Sequence, residues 1–170
     1  MTADELKALQ APIKARYKED PAAARLTLQV RGRLGQDRPT CTIETGPARL
    51  TAGLHPYVGG NGLEACSGDM LLEALAACAG VTLASVATAM GIPLRNGLVH
   101  AEGDLDFRGT LGVAKDAPIG FAAIRLRFEL DTDATPDQLA TLLKLTERYC
   151  VIFQTLKQPP QVSVEARPAV

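Results

Sequence analysis

The sequence predicts an α+β protein whose main domain is built around one long apolar helix. Three observations support this fold class. Residues 69–90 are a nearly unbroken run of apolar and small residues with the length of a helix. Alternating apolar and polar residues on both sides of this run are typical of β-strands. A second helical pattern begins after Thr135, and the 46% hydrophobic and 22% charged content of the 170 residues is that of a globular protein.

The charge and aromatic content exclude several classes of partner. The net charge is −1 with acids and bases mixed along the chain, so we predict neither nucleic acid nor a membrane surface as a partner. There is no Trp and aromatic residues make up 4% of the chain, which argues against a stacking platform for single-stranded nucleic acid.

The N-terminus is charged throughout and has no apolar core with a cleavage site, so we expect no signal peptide and a cytoplasmic location. The expected compartment determines how the four cysteines are interpreted, because the cytoplasm is reducing. Structural disulfides are then not expected, and each cysteine is interpreted as either a reactive or a buried thiol.

Residues 1–24 are predicted to form a helical extension that precedes a main domain of residues 25–170. Four large side chains fall on one side of the extension helix: Leu6, Leu9, Ile13 and Tyr17. We expect this side to dock on the body or on a partner subunit.

Alternation predicts a strand at the start of the main domain and two shorter strands after a turn. These are residues 25–31, the turn at 32–37, and the strands at 41–45 and 48–51. Residues 56–68 contain four glycines and are predicted to be a long loop beside the central helix. Long loops in compact domains are often functional.

The central run has Ser67 or Asp69 as its candidate cap, and Gly91 with Pro93 ends it. Because it is apolar on nearly all sides, a transmembrane span and a buried core helix are competing interpretations. The run contains Glu73, is rich in alanine and hydroxyl residues, and lacks basic flanks. These features favour a helix buried within the fold.

The C-terminal half is predicted to contain further strands and a second helix. Strand-like runs occur at 98–102, 104–108, 119–130 and 162–166. Thr135 as N-cap, Pro136 at the first helical position and Gln138 form a capping box that starts the helix. One face of this helix is expected to carry Leu139, Leu142, Leu143, Thr146, Tyr149, Cys150 and Phe153.

Two motifs in this order resemble the OsmC/Ohr family. The first is Ser67-Gly-Asp-Met-Leu-Leu-Glu-Ala-Leu-Ala-Ala-Cys78, and the second is Glu147-Arg-Tyr-Cys150 late in the following helix. The resemblance covers roughly residues 25–166. It implies antiparallel sheets around a long buried central helix, and an intertwined homodimer with a site near the dimer interface.

The resemblance also implies a thiol-dependent peroxidase acting on organic hydroperoxides. By family position, Cys78 attacks the peroxide as a thiolate and becomes a sulfenic acid, and Cys150 resolves it to a disulfide. The reducing partner would be a dithiol, either a lipoylated protein or a small thiol. No metal, haem or flavin cofactor is implied.

The activation of Cys78 needs a positive group or a strong donor. An apolar helix raises the pKa of a thiol, and the dipole of the helix gives little help in its third turn. Peroxidase members pair an early-loop arginine with a glutamate at the start of the helix, where Asp69 is the nearest acid here. The candidate donors are Arg33, Arg38, Arg49 and His55. Val151 follows Cys150 where many members have proline, which indicates a divergent branch.

Two other hypotheses remain open. Most buried cysteines are inert, so the protein is alternatively a non-catalytic redox or apolar-ligand-binding module of the same fold. A Cys-His acyl-transfer enzyme that uses His55 is the other. Cys41 is expected to serve packing, and Cys66 is an additional candidate redox thiol. The sequence has no Cys-x-x-Cys motif or Cys/His cluster, so no zinc site is predicted.

Overall fold

The computed structural model describes residues 1–35, 37–45 and 48–167. The helices are α1 (Ala3–Glu19), α2 (Ser67–Ala89), α3 (Phe107–Thr110), α4 (Pro136–Tyr149) and α5 (Val151–Lys157). The strands are β1 (Gly32–Leu34), β2 (Cys41–Thr45), β3 (Ala48–Gly53), β4 (Ala65–Cys66), β5 (Asn96–Asp104) and β6 (Ala123–Asp131). Short 3-10 turns lie at Pro21–Ala24 and Pro56–Val58.

The strands form two separate sheets. The strands of the first sheet precede α2 in the sequence, and those of the second follow it. The first has the order β1-β2-β3-β4, antiparallel except for the parallel β3–β4 pair. The second is the antiparallel β5–β6 pair, in register from Asn96 opposite Asp131 to Asp104 opposite Ala123. The α+β class, with its antiparallel sheets and one long central helix, is therefore confirmed.

Helix α2 buries one face rather than all of its surface. Leu75, Ala79, Leu83 and Ala87 recur every fourth residue and are buried, and α2 packs against β5, α4 and α5. On the other side Val81 is 73% exposed within the single chain. By length and composition alone α2 could cross a membrane, but core helices of other proteins pass the same test.

The start of α2 differs from the prediction, whereas its end agrees with it. Cys66 is the N-cap and makes no side-chain cap bond, so Ser67 and Asp69 as caps are wrong; both lie in the first turn. The predicted stop is correct, since Gly91 takes the left-handed conformation that glycine tolerates at a φ of 66°. The Ile92 N–H then donates to the Ala87 carbonyl at 2.9 Å.

Several predicted strands are wrong for the chain as described. Residues 25–31 and 162–166 are not in strands, and their apolar side chains lie in solvent, with Leu28 84% and Val164 95% exposed. Their alternation suits a sheet, but a strand also needs a neighbouring strand to pair its N–H and C=O groups. The predicted turn at 32–37 contains β1 instead. The predicted strand at 104–108 is also wrong, because Asp104 is the last residue of β5 and residues 107 and 108 already belong to α3.

The second helix begins as predicted and anchors the core. Thr135 Oγ1 accepts from the Gln138 N–H at 3.3 Å, and Gln138 Oε1 accepts from the Thr135 N–H at 2.9 Å. Leu142 of α4 packs into a buried cluster with Leu83 and Ile92. This cluster holds α4 against α2 and the loop that follows α2.

The N-terminal extension is helical through the 3-10 turn that ends at Ala24, although the domain boundary after it stays a prediction. Thr2 and Glu5 form a capping box at the start of α1. Leu6 is half-buried where α1 meets α2, whereas Leu9 and Ile13 are exposed. Within the single chain, Leu6 of the predicted docking side is therefore partly covered, whereas Leu9 and Ile13 are not.

We expect Leu142→Ala to lower the free energy of unfolding by about 2 to 5 kcal/mol, because it leaves a cavity in the buried cluster. Leu143→Ala, one residue along the same helix but exposed, is the matched control and should cost about 1 kcal/mol or less. Urea unfolding followed by far-UV circular dichroism measures both. Equal losses in the two variants would contradict this assignment of the core.

Candidate functional site

The two family-position cysteines meet where α2 passes the break between α4 and α5. Cys78 lies in the fourth turn of α2 and is half-buried. Cys150 is 0% exposed and has extended backbone angles, φ −73° and ψ 110°. It therefore ends α4 and begins α5, so Phe153 belongs to α5 rather than to the α4 face on which it was predicted.

Both cysteines are free thiols, and they lie close enough for each to shift the pKa of the other. The backbone N–H groups of Ile152 and Val151 also act on the Cys78 sulfur, because both lower its pKa. The Cys150 sulfur accepts the Phe153 N–H at 3.5 Å and so serves as the N-cap of α5. The first turn of α5 thus faces one sulfur from α2 and one from the break between α4 and α5.

The pKa of Cys78 is lowered even though burial, the largest single effect, raises it. The Ile152 N–H, the Cys150 thiol, the Val151 N–H and the Thr82 hydroxyl together outweigh burial. The two N–H groups and the Cys150 thiol stabilise the thiolate more than the thiol, whereas Thr82 makes the smallest contribution to the lowered pKa and donates its proton to the Cys78 carbonyl. The site therefore favours a charged sulfur at Cys78 without a cation among the groups that bond it.

Cys150 has the opposite protonation preference. Burial raises the pKa of its thiol, and the adjacent Cys78 sulfur raises it further, whereas the Phe153 N–H only partly offsets these effects. One thiolate beside one protonated thiol is the arrangement that suits a nucleophile and a proton donor. The two sulfurs are thus chemically unequal although they touch.

Sequence reasoning missed Thr82 and the two backbone donors. Thr82 stands one helical turn after Cys78, and its Oγ1 donates to the Cys78 carbonyl at 2.8 Å. The i, i+4 spacing from Cys78 was a usable signal for Thr82. The Val151 and Ile152 N–H groups carry no side-chain signal, because their role depends on the chain leaving the helix at Cys150.

The other predicted site residues lie elsewhere. Asp69 is exposed in the first turn of α2, about 13 Å from Cys78 along the helix axis. Arg33 is exposed on β1. The His55 ring stacks on Phe107 at a centroid distance of 5.1 Å. None of the three is among the groups that bond the Cys78 sulfur.

His55 is also engaged through its ring nitrogen. Nδ1 accepts the Tyr57 N–H at 3.1 Å and so caps the 3-10 turn at Pro56–Val58. The ring of Tyr57 meets the His55 ring edge-on. These contacts give His55 a structural role in the loop before α2.

An arginine–glutamate pair does occur before α2, with a predicted arginine but an acid that was not predicted. Arg38 Nη1 lies 2.7 Å from Glu64 Oε1, and the Glu64 side chain is only 10% exposed. Arg38 was a candidate cation, whereas Glu64, which takes the place expected for Asp69, was not predicted because it lies just before β4 and not in the first turn of α2. Arg49, another candidate cation, lies exposed on β3.

An apolar cavity extends to Cys150 from the side of the second sheet, the β5–β6 pair. A cavity of about 420 Å³ is bounded by β6, α4 and α5, with Ala79 and Cys150 in its wall. A second cavity of about 540 Å³ lies beside the N-terminal half of α2. Leu126 and Phe153 line both cavities, so they stand between the two.

Comparisons with known proteins agree on one family. A family model described as OsmC-like protein matches residues 60–165. No curated protein matches the sequence.

Among solved structures, the chain is similar to an OsmC-like protein from Mycoplasma pneumoniae, with a TM-score of 0.65 and 19% identity over 79% of this chain and 89% of that one. It is also similar to an organic hydroperoxide resistance protein OsmC from Legionella pneumophila, with a TM-score of 0.62 and 16% identity over 79% and 92%. An OsmC-like protein of unknown function from Vibrio cholerae has a TM-score of 0.59 and 15% identity over 76% and 94%. At these identities the likeness shows the fold.

We expect iodoacetamide to alkylate Cys78 faster than Cys150, because the thiolate is the reactive form and the pKa of Cys78 is the lowered one. The rate at Cys78 should rise through a midpoint below about 8.5, the value for a free cysteine. Peptide mass spectrometry across a pH series measures the rate at each site.

Val151→Pro tests the backbone donors, because proline suits the first position of a helix but has no N–H. This change should move the Cys78 midpoint to higher pH. Val151→Ala keeps the N–H and should leave the midpoint in place. Identical midpoints in the two variants would rule out Val151 as a donor to the thiolate.

Proposed function

The chain belongs to the OsmC-like protein family, and from this premise we propose that it is a thiol-dependent peroxidase that reduces organic hydroperoxides. The observation that carries the proposal is the pair of unequal thiols. Cys78 has a lowered pKa and lies beside Cys150, whose pKa is raised. That arrangement supplies the nucleophile and the proton donor that the reaction needs.

The chemistry follows from the two protonation states. The Cys78 thiolate attacks one peroxide oxygen, the O–O bond breaks, and the departing alkoxide takes the proton of Cys150 to become an alcohol. Cys78 is then a sulfenic acid and Cys150 a thiolate. The Cys150 thiolate attacks the Cys78 sulfur, hydroxide leaves, and a disulfide forms. A dithiol returns both cysteines to the reduced state by thiol–disulfide exchange.

The cavity beside Cys150 supports an organic substrate. Its volume of about 420 Å³ is far larger than a small inorganic peroxide requires, and most of the residues around it are apolar. Burial of a hydrocarbon group there would contribute roughly 25 cal/mol per Å² of apolar area removed from water. The same cavity would serve an apolar-ligand-binding module, so turnover is the property that separates the two functions.

A homodimer is part of the proposal, and the exposed apolar surface of the single chain supports it. Leu26, Leu28 and Val30 alternate along residues 25–31 with their side chains in solvent. Val81 is likewise exposed on α2. Large exposed apolar surfaces mark interaction sites, and unpaired strand-like segments pair readily with another chain.

In such a dimer, the connection between β1 and β2, which carries Arg38, would lie near the second copy. We propose that Arg38 and Glu64, rather than Arg33 and Asp69, serve as the arginine–glutamate pair that peroxidase members of the family use. The short distance between Arg38 and Glu64, and the burial of Glu64, support this choice. A cytoplasmic location completes the proposal, since a reducing compartment supplies the dithiol.

One equivalent of cumene hydroperoxide should convert the reduced protein to a form two hydrogen atoms lighter, because the two thiols become a disulfide. Intact mass measures the loss, and peptide mapping should find Cys78 linked to Cys150. Cys78→Ser should not react, and Cys150→Ser should stop at a sulfenic acid that dimedone traps.

Cys66→Ser, which removes a thiol outside the pair, is the control and should behave as the unchanged protein. Thiols that stay reduced after the peroxide is added would refute the peroxidase. A disulfide that no dithiol reduces again would instead favour the ligand-binding module.

The protein should sediment at twice the 18.0 kDa mass of one chain, and Leu28→Asp should shift it toward the monomer by placing a charge in the apolar strand. Val113→Asp, in a loop after α3 and 72% exposed, is the matched control and should leave the dimer intact. Analytical ultracentrifugation measures both. A monomer at every concentration of the unchanged protein would exclude the dimer.

A further inference from the structure

The first turn of α5 has an unusual set of hydrogen-bond acceptors. The first N–H groups of a helix have no partner within the helix and need one from outside. In α5 the first intrahelical bond is from the Gln154 N–H to the Cys150 carbonyl at 2.9 Å. The N–H groups of the three residues between them, Val151, Ile152 and Phe153, must therefore bond elsewhere.

These N–H groups face the two reactive sulfurs. Phe153 donates to Cys150 Sγ at 3.5 Å, and the N–H groups of Val151 and Ile152 lie close enough to the Cys78 sulfur to lower its pKa. The sulfur atoms that would react are therefore the same atoms that cap the helix. Water is a poor substitute at this point, because Cys150 is fully buried.

We propose that oxidation of the Cys78–Cys150 pair uncaps α5 and loosens its first turn, which makes α5 a redox-sensitive element. The inference rests on the disulfide of the proposed function, but not on the peroxide as the oxidant. A disulfide holds its sulfurs about 2.05 Å apart with a fixed dihedral angle, so Cys150 Sγ must turn toward α2. Oxidation also makes the Cys78 sulfur neutral, so it accepts hydrogen bonds more weakly than the thiolate did, whereas the Cys150 sulfur loses its cap bond by turning away from the Phe153 N–H.

The length of α5 makes it sensitive to this loss. A seven-residue helix is not stable by itself in water and depends on its caps and its tertiary contacts. Another hydrogen bond, from Gln154 Nε2 to the Glu147 carbonyl at 2.7 Å, holds α5 to the end of α4. Loss of the cap therefore removes a large share of what fixes the start of the helix.

Phe153 links the loss of the α5 cap to the two cavities, because its ring lines both of them. It lies in the first turn of α5 and forms part of the wall between the cavity beside Cys150 and the cavity near Leu71. When the turn loosens, this ring is released and the two cavities join. The oxidised protein then presents a different apolar surface from the reduced one, on the side from which a reductant must approach the disulfide.

Hydrogen–deuterium exchange of the full-length protein tests the proposal. Diamide is the oxidant, because it forms disulfides whether or not the protein is a peroxidase. Intact mass and peptide mapping first establish the Cys78–Cys150 bond. Amides of residues 151–155 should then exchange about fivefold to tenfold faster than in the reduced protein, the usual effect of losing a helix cap. Amides of α4 should keep their rates.

Variants at Cys150 distinguish the effect of losing the helix cap from the effect of forming the disulfide. Cys150→Ser keeps a capping oxygen but cannot form the bond, so residues 151–155 should stay protected after diamide. Cys150→Ala should exchange fast at these residues without any oxidant. Cys66→Ser, outside the pair, should respond to diamide as the unchanged protein does.

Three results would overturn the proposal. The first is unchanged or slower exchange at 151–155 in protein whose Cys78–Cys150 bond has been verified. The second is failure of the bond to form with diamide. The third is an equal rise over the whole chain, which would mean global destabilisation instead of a local switch. Slow reaction with cumene hydroperoxide alongside the expected exchange pattern would count against the peroxidase only.

Discussion

The contacts between the backbone N–H groups in the first turn of α5 and the two sulfurs are the interaction on which the site depends. They exist because the chain leaves the helical conformation at Cys150 and resumes it at Val151. Had α4 continued through this point, the N–H groups of Val151 and Ile152 would bond to carbonyls of their own helix. The break frees these donors and aims them at Cys78, which sits on a helix remote in sequence.

The same break explains how an apolar setting can hold a reactive thiol. Burial raises the pKa of both cysteines, and it prevails at Cys150. At Cys78 the Ile152 N–H, the Cys150 thiol and the Val151 N–H reverse it. Backbone N–H groups are neutral, so they stabilise a thiolate without placing a second buried charge in the core. No cation is among the groups that lower the pKa of Cys78 in the single chain, and Arg38 keeps a proposed role toward substrate in the proposed dimer.

Two apolar segments with the pattern of strands remain unpaired within the single chain. Residues 25–31 and 162–166 alternate as strands do, yet both lie unpaired and exposed. Local pattern decides which face of a segment is apolar, whereas strand formation also requires a neighbour for the backbone. The exposed Val81 on α2 has the same explanation, since a helix apolar all round buries only the faces for which the chain supplies a partner.

Local chemistry in the sequence was enough to determine the α+β class, the central helix with its Gly91 stop, and the capping box at Thr135. Each of these depends on neighbouring residues alone. Family resemblance directed attention to Cys78 and Cys150, but not to Thr82, Glu64 or the N–H groups of Val151 and Ile152. Tertiary structure decided those, because a thiol's pKa depends on donors brought from distant parts of the chain, and a backbone donor leaves no mark in the sequence.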